Sequence, residues 1–296
     1  MNAMSRSKSD RVLDFSIYCI LAIVLVVVIY PLYFVIIASI SDPTYVNSGQ
    51  MTLWPKGLNF NGYVRIFQDH SILTGYRNSI IYTVVGTAIS LLFTLPAAYA
   101  LSRKDLDGKN IIMYLVTFTM FFSGGLVPTF LLIKQLGMYN TIWSLVLPGA
   151  VGPYNLIIAR SFFQNTIPDE LREAAEIDGC SNLTFFVRMV VPLSAAIISI
   201  MVLFYGVGYW NAFFNALIYI KDKDMYPLQL VLRNILIVNQ VSMDMMGDVD
   251  QAAKQQEIAG LIRYGVIIIA ALPLLVLYPF LQRYFVKGVM IGAVKG

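Results

Sequence analysis

The chain has almost no histidine, little cysteine and few charges. One histidine (His70) and two cysteines (Cys19, Cys180) stand among 296 residues, and Asp, Glu, Lys and Arg together make up 13%. A lone histidine with no partner at ligand spacing points to a surface residue, not a metal centre. The two cysteines share no metal or redox spacing, so they read as free, buried small hydrophobes. No G-x-x-x-x-G-K-[ST] run occurs, so the chain itself is not expected to bind ATP through a P-loop. No H-E-x-x-H and no nucleophile–histidine pairing falls within the apolar runs, which speaks against a membrane hydrolase. Asp244, Asp248, Asp250 and Glu257 cluster, but without the central glycine and ligand order of a calcium loop. The net charge of +4 offers no nucleic-acid surface. Neither an internal repeat nor a low-complexity segment stands out.

What is present is hydrocarbon. Hydrophobic residues make up 58% and the mean hydropathy is +0.69, so a bilayer is the expected solvent. Six segments reach the roughly 20 residues needed to cross it: Phe15–Ile40, Ser79–Leu101, Ile111–Ile133, Thr141–Phe163, Val190–Ile220 and Leu261–Phe285. They predict an all-α, polytopic membrane protein of six transmembrane helices. The first three contain no Asp, Glu, Lys or Arg. The first is too long for a cleavable signal and ends in no small-residue cleavage site. An even number of spans puts both termini on one side. Lys8, Arg11, Arg103, Lys104, Lys109 and Lys287 favour the cytoplasm for that side. The expected organisation is an N-terminal segment 1–14, a membrane domain 15–286 and a tail 287–296. Outer segments at 41–78 and 221–260 are large enough to dock a soluble partner or to lie at the interface as short helices. The run Leu228–Val238 is compatible with a helix.

Two further features of the spans bear on function. Carboxylates are missing inside them, which an ion-coupled secondary carrier would need. Helix breakers are frequent: Pro31, Pro96, Gly124-Gly125, Pro128, Pro148, Gly152-Pro153, Gly206, Gly208 and Pro273. They suit either a bundle enclosing a path or close packing between helices.

Between the fourth and fifth spans, 164–189 is a compact charged hairpin. Pro168-Asp169-Glu170 starts a helix, since proline suits the first turn and acids favour the positive helix end. Leu171, Ala174 and Ala175 are expected on one face, with Glu170, Arg172, Glu173 and Glu176 around the rest. Gly179 supplies the left-handed residue that closes it. Ser181 or Asn182 caps a second short helix through Val187, and Pro192 opens the fifth span. The first helix, about 16 Å long for about 11 residues, is too polar for lipid. It is either a rigid lever gripped from outside the membrane or an ordinary capped loop.

Glu173-Ala174-Ala175, Gly179 and Pro192 resemble the EAA loop of ABC importer permeases: EAA, three residues, G, nine residues, I-x-L-P. Met189 stands for the Ile and Val191 for the Leu, both conservative swaps. The runs 121–151, 208–220, 226–236 and 287–296 are similar to carbohydrate-uptake permeases of the LplC/YtcP type, distant relatives of the inner maltose permease subunit. The resemblance implies a six-helix permease of the type I ABC importer kind in a bacterial cytoplasmic membrane. It implies a second homologous permease, two copies of an ATPase that binds the ATP and Mg, and an outer solute-binding protein. The chain then has no cofactor and is no enzyme. Its hairpin becomes the coupling helix, a role carried onto Glu173, Ala174, Ala175, Asp178 and Gly179. The cargo becomes an oligosaccharide, uronate-containing ones such as alginate or aldouronate fragments included. For an anionic cargo the available cations are Lys134, Arg160, Arg233 and Arg263.

For a sugar path the fifth span offers Tyr209, Trp210, Asn211 and Phe214, and the fourth offers Asn155. Aromatic faces stack on sugar rings and amides bond hydroxyls; the competing reading is an aromatic belt or helix packing.

Overall fold

The structure, a computed structural model, describes residues 8–235, 260 and 262–279, and every regular element among them is helical. In chain order these are α1 (Lys8–Ser39), α2 (Pro43–Asn47), α3 (Asn61–Gln68), α4 (His70–Ser102), α5 (Lys109–Phe121), α6 (Leu126–Gln135) and α7 (Trp143–Val146). There follow α8 (Pro153–Thr166), α9 (Asp169–Ile177), α10 (Asn182–Phe185), a π turn (Phe186–Val190), α11 (Val191–Leu193), α12 (Ala195–Trp210) and α13 (Phe214–Tyr219). Further helices cover 228–235 and Ile262–Pro279.

The chain divides into two compact units. One holds the described residues within 1–69 and 235–271. Its α1 leaves almost all its large side chains bare, from Val12 to Ile36, as a helix solvated by lipid does. Cys19 is free and exposed on it, so the expectation of a buried cysteine fails there: no helix among the described residues of this unit covers it. Only the end of α1 is packed, where Ile37 and Ala38 meet Val46 and Met51.

The other unit holds those within 70–234 and 272–296, with α4 as its post against α8 and α12. The helix starts at His70, nine residues before the expected Ser79. Its first turns are held by the segment after α13: Asn78 Nδ2 donates to Asp224 O (2.7 Å) and Tyr226 O (3.1 Å), and Tyr82 Oη to Met225 O (2.9 Å). Ser79 Oγ accepts the Leu228 amide at 2.8 Å. On the other flank Asn140, in the left-handed region at φ 58°, accepts the amides of Lys221 and Asp222 at 2.9 and 3.0 Å. Residues 221–228 are thus a pinned strap. The rest of the expected outer segment, with its acidic cluster at Asp244, Asp248, Asp250 and Glu257, lies outside the described residues.

Continuity differs most from expectation. Among the described residues three uninterrupted helices are long and apolar enough to span: Arg11–Ser39, His70–Ser102 and Ile262–Pro279. The third expected span is α5 and α6 at 114° to one another, with Gly125 at φ 86° between them. The fourth is interrupted between α7 and α8, where Pro148 and Pro153 lack the N–H that an unbroken ladder needs. The fifth bends by 83° between Asn182–Leu193 and Ala195–Trp210. Pro192 therefore lies before the bend, and the span opens at Ala195. The π turn precedes the proline because a ring at 192 crowds the carbonyl of Arg188, and a wider turn relieves that crowding.

Candidate functional site

The hairpin is built as its punctuation implies. Pro168 is the N-cap of α9, with Asp169 and Glu170 in the first turn. Gly179 has φ 74°, its amide donates to Glu176 O (3.0 Å), and the Cys180 amide donates to Ala175 O (2.9 Å). This pair of bonds is a Schellman closure. Ser181, not Asn182, caps α10, its Oγ accepting the Thr184 amide at 3.3 Å.

The faces of α9 differ from expectation. Ala175 is buried with Tyr99, Leu101, Phe163, Phe185 and Val190, and Leu171 packs against them. Ala174 is exposed. The buried stripe is Leu171–Ala175, one i,i+4 step, and a residue one position earlier turns about 100° away. Glu173, Asp178 and Gly179 are also exposed, as are Ile177 (88%) and Leu183 (73%). The sequence reading missed these last two. The available signal was a large apolar side chain off the core stripe of a polar helix.

An ion cluster also went unseen in the sequence. Arg103 donates to both carboxylate oxygens of Asp105 (2.8 and 2.5 Å) and to Asn182 Oδ1 (2.6 Å). Arg172 pairs with Glu176 at 2.5 Å and approaches Asp105 at 3.9 Å, while Lys104 meets Asp169 at 2.7 Å. The Arg103 hydrogen bonds, helped by the charges of Arg103 and Arg172, hold the Asp105 carboxyl at about 2, so it stays ionised at ordinary pH. Arg160 Nε donates to Leu101 O at 2.9 Å. Through Arg103–Asn182 and Lys104–Asp169 the hairpin is tied to the end of α4.

The expected path residues separate into two groups. Tyr209 and Trp210 lie within the bundle. Tyr209 Oη donates to Val146 O at 3.1 Å and receives the proton of Ser90 Oγ at 3.0 Å. Trp210 is 3% exposed and meets Tyr76 edge-on at 5.5 Å. Asn211 and Phe214 are exposed at the break after α12, and Asn155 is half-buried in α8. Trp210→Ala is expected to lower the amount of assembled complex, since emptying so large a buried site costs on the order of 3–5 kcal/mol. Phe214→Ala is expected to leave assembly intact and change uptake alone. Gel filtration of the purified complex beside an uptake assay checks both.

The chain matches known proteins over most of its length. Residues 70–291 match a family described as the binding-protein-dependent transport system inner membrane component. Protein LplC of Bacillus subtilis (strain 168) is 42% identical over 296 residues, 100% of this chain and 99% of its own. The polygalacturonan/rhamnogalacturonan transport system permease protein YtcP of the same organism is 40% identical over 287 residues, covering 97% and 99%. A chain from the crystal structure of a bacterial ABC transporter involved in the import of the acidic polysaccharide alginate superposes with a TM-score of 0.83. It is 28% identical, over 96% of this chain and 100% of that one. The match starts at the first residue of α4, the post to which the hairpin is tied, and the chain accordingly belongs to the family of binding-protein-dependent inner membrane components, as a permease subunit of an ABC importer and not an enzyme.

Proposed function

We propose that this permease imports a uronate-containing oligosaccharide into a bacterial cytoplasm by ATP-driven alternating access. Both termini and the α9–α10 hairpin then face the cytoplasm. A second, homologous permease completes the bundle. Two copies of an ATPase hold the nucleotide and magnesium, and an outer solute-binding protein delivers the sugar. The observation that carries this reading is the bare edge of the hairpin. Ile177 stands exposed with Glu173 and Ala174 on α9, which ions tie to the end of α4, and Leu183 stands exposed on α10. An apolar edge of that kind, rimmed by charge, suits the cleft of a protein that does the hydrolysis. Uptake by vesicles containing the full complex should require ATP and survive collapse of the ion gradients. Uptake driven by a gradient without ATP would overturn the reading in favour of an ion-coupled carrier.

The acidic substrate of the alginate importer supports an anionic cargo here. Of the cations that the sequence offers for it, Arg160 is engaged at the inner end by Leu101 O. Arg233 instead lies over the Phe213 ring, 6.0 Å from its centroid, beside the break after α12. Among the described residues no carboxylate is within ion-pair distance of it. Arg233→Gln is expected to slow uptake of an oligogalacturonate about tenfold, the worth of one charged hydrogen bond, and to spare a neutral oligosaccharide that the wild type also carries. Equal slowing of both sugars would assign Arg233 to packing.

A further inference from the structure

The interruption between α7 and α8 is held by α12, and α4 serves as a ruler for its depth. Tyr205 and Tyr209, one turn apart on α12, reach across to the interruption. The Tyr205 hydroxyl accepts the Gly152 amide at 3.1 Å and bonds Thr94 Oγ1 at 2.7 Å. The Tyr209 hydroxyl takes Val146 O, at the end of α7, and Ser90. Thr94 and Ser90 precede the inner end of α4 at Ser102 by about 12 and 18 Å, at 1.5 Å per residue. A hydrocarbon core is about 30 Å thick, so the break sits near its middle. The two hydroxyls cap the two ends of the broken helix: one receives the first amide of the new piece, the other donates to the last carbonyl of the old one.

Between these caps the backbone is bare. Leu147 and Val151 are each 41% exposed, Pro148 and Gly149 are exposed, and only Ala150 turns inward. A Cβ placed on Gly149 would meet nothing within 4 Å. No group among the described residues accepts the amides of Gly149 and Val151. Lipid cannot take those bonds, and non-helical backbone at this depth persists only inside protein or beside water. Among the described residues none covers the stretch. We propose that Leu147–Gly152 lines the water-filled translocation path, with its free amides and carbonyls meeting the hydroxyls of a passing sugar. Tyr205 and Tyr209 are its positioning residues. Sugar hydroxyls both donate and accept, and this backbone offers both kinds of group without a charge that would hold the cargo too long.

The identity of the cargo rests on the carbohydrate reading; the wet face does not. Gly149→Cys and Val151→Cys, with Leu92→Cys as control, test the two separately in the complete complex in membrane vesicles. Leu92 is 68% exposed at a similar depth on α4. The probe is an anionic, membrane-impermeant methanethiosulfonate, read site by site by mass spectrometry so that Cys19 and Cys180 stay in place. Each variant is labelled at rest and with the ATPase trapped by vanadate. Cysteines at 149 and 151 should react at least about tenfold faster than that at 92 in one of the two states, as water contact requires. A uronate oligosaccharide should slow them. Tyr205→Phe should change the rate at 151 while assembly persists. Rates at 149 and 151 as low as at 92 in both states would overturn the wet face and place the break against lipid or the second permease. Fast labelling that no oligosaccharide slows would overturn the sugar contact alone, and labelling unmoved by Tyr205→Phe would overturn the positioning role.

Discussion

Gly179→Val is expected to abolish sugar uptake while the complex still assembles. Gly179 holds φ 74° at the end of α9. A β-branched residue there costs on the order of 1–3 kcal/mol of backbone strain. The space around it is open, with nothing within 4 Å of an added Cβ, so the penalty is conformational and not a clash. The chain can relieve it only by opening the Schellman turn, which redirects α10 relative to α9. That turn sets the angle between Ile177 and Leu183, the two bare apolar residues, and it closes a helix tied through Lys104–Asp169 to the end of α4. Basal ATP hydrolysis should continue and stimulation by the loaded binding protein should fall to the basal rate. Gly179→Asn is the informative companion, because asparagine tolerates the left-handed region, and it should keep most of the uptake. If Gly179→Val transports at the wild-type rate, the hairpin is not the coupling element.

The hairpin was legible because its signals are local. Pro168, the first-turn acids, Gly179 and Ser181 act within one or two turns of themselves, and each sits where its chemistry requires. The ion cluster was not legible. Arg103 and Asn182 are 79 residues apart, and nothing in either neighbourhood names the other. The strap over α4 has the same character, since Asn78 meets Tyr226 across 148 residues. The spans illustrate a different limit. A count of apolar residues over about 20 positions measures solvent preference and is blind to direction. Gly124-Gly125, Pro148 and Pro153 were visible as breakers, yet their presence was equally compatible with close packing. What decides between the two is whether another side chain can satisfy the freed backbone. Here Tyr205 and Tyr209, from a different helix, take the Gly152 amide and the Val146 carbonyl and leave the amides of Gly149 and Val151 without an acceptor among the described residues. The two alanines of the motif show the finest grain: Ala175 is buried and Ala174 bare, and only the rotation of α9 against Tyr99 and Phe163 tells them apart.

The second large effect is expected at Gly86, where α4 and α12 touch. A Cβ there would lie 2.7 Å from Tyr209 Cζ and 2.8 Å from two other ring atoms. Real Cβ atoms do not approach so closely, so either the ring or the helix must move. The ring has little freedom, because its hydroxyl is fixed by Ser90 on one side and Val146 O on the other. Overpacking of this kind costs about 1–3 kcal/mol. Displacing the hydroxyl forfeits its hydrogen bonds as well, worth about 0.6–2 kcal/mol each in a membrane. It would also leave the last carbonyl of α7 uncapped in the middle of the bilayer. Gly86→Val should therefore lower the melting temperature of the complex markedly and abolish uptake, and Gly86→Ala should follow it closely, since the first carbon already collides. Adding Tyr209→Leu to Gly86→Ala removes the obstructing ring and should recover part of the melting temperature without recovering uptake, because the cap on Val146 is still missing. A thermal melt of the three purified complexes, paired with vesicle uptake, separates these effects. A Gly86→Ala complex as stable as the wild type would mean that α4 and α12 slide past one another easily, and the tyrosine clamp would then have no rigid post to act from.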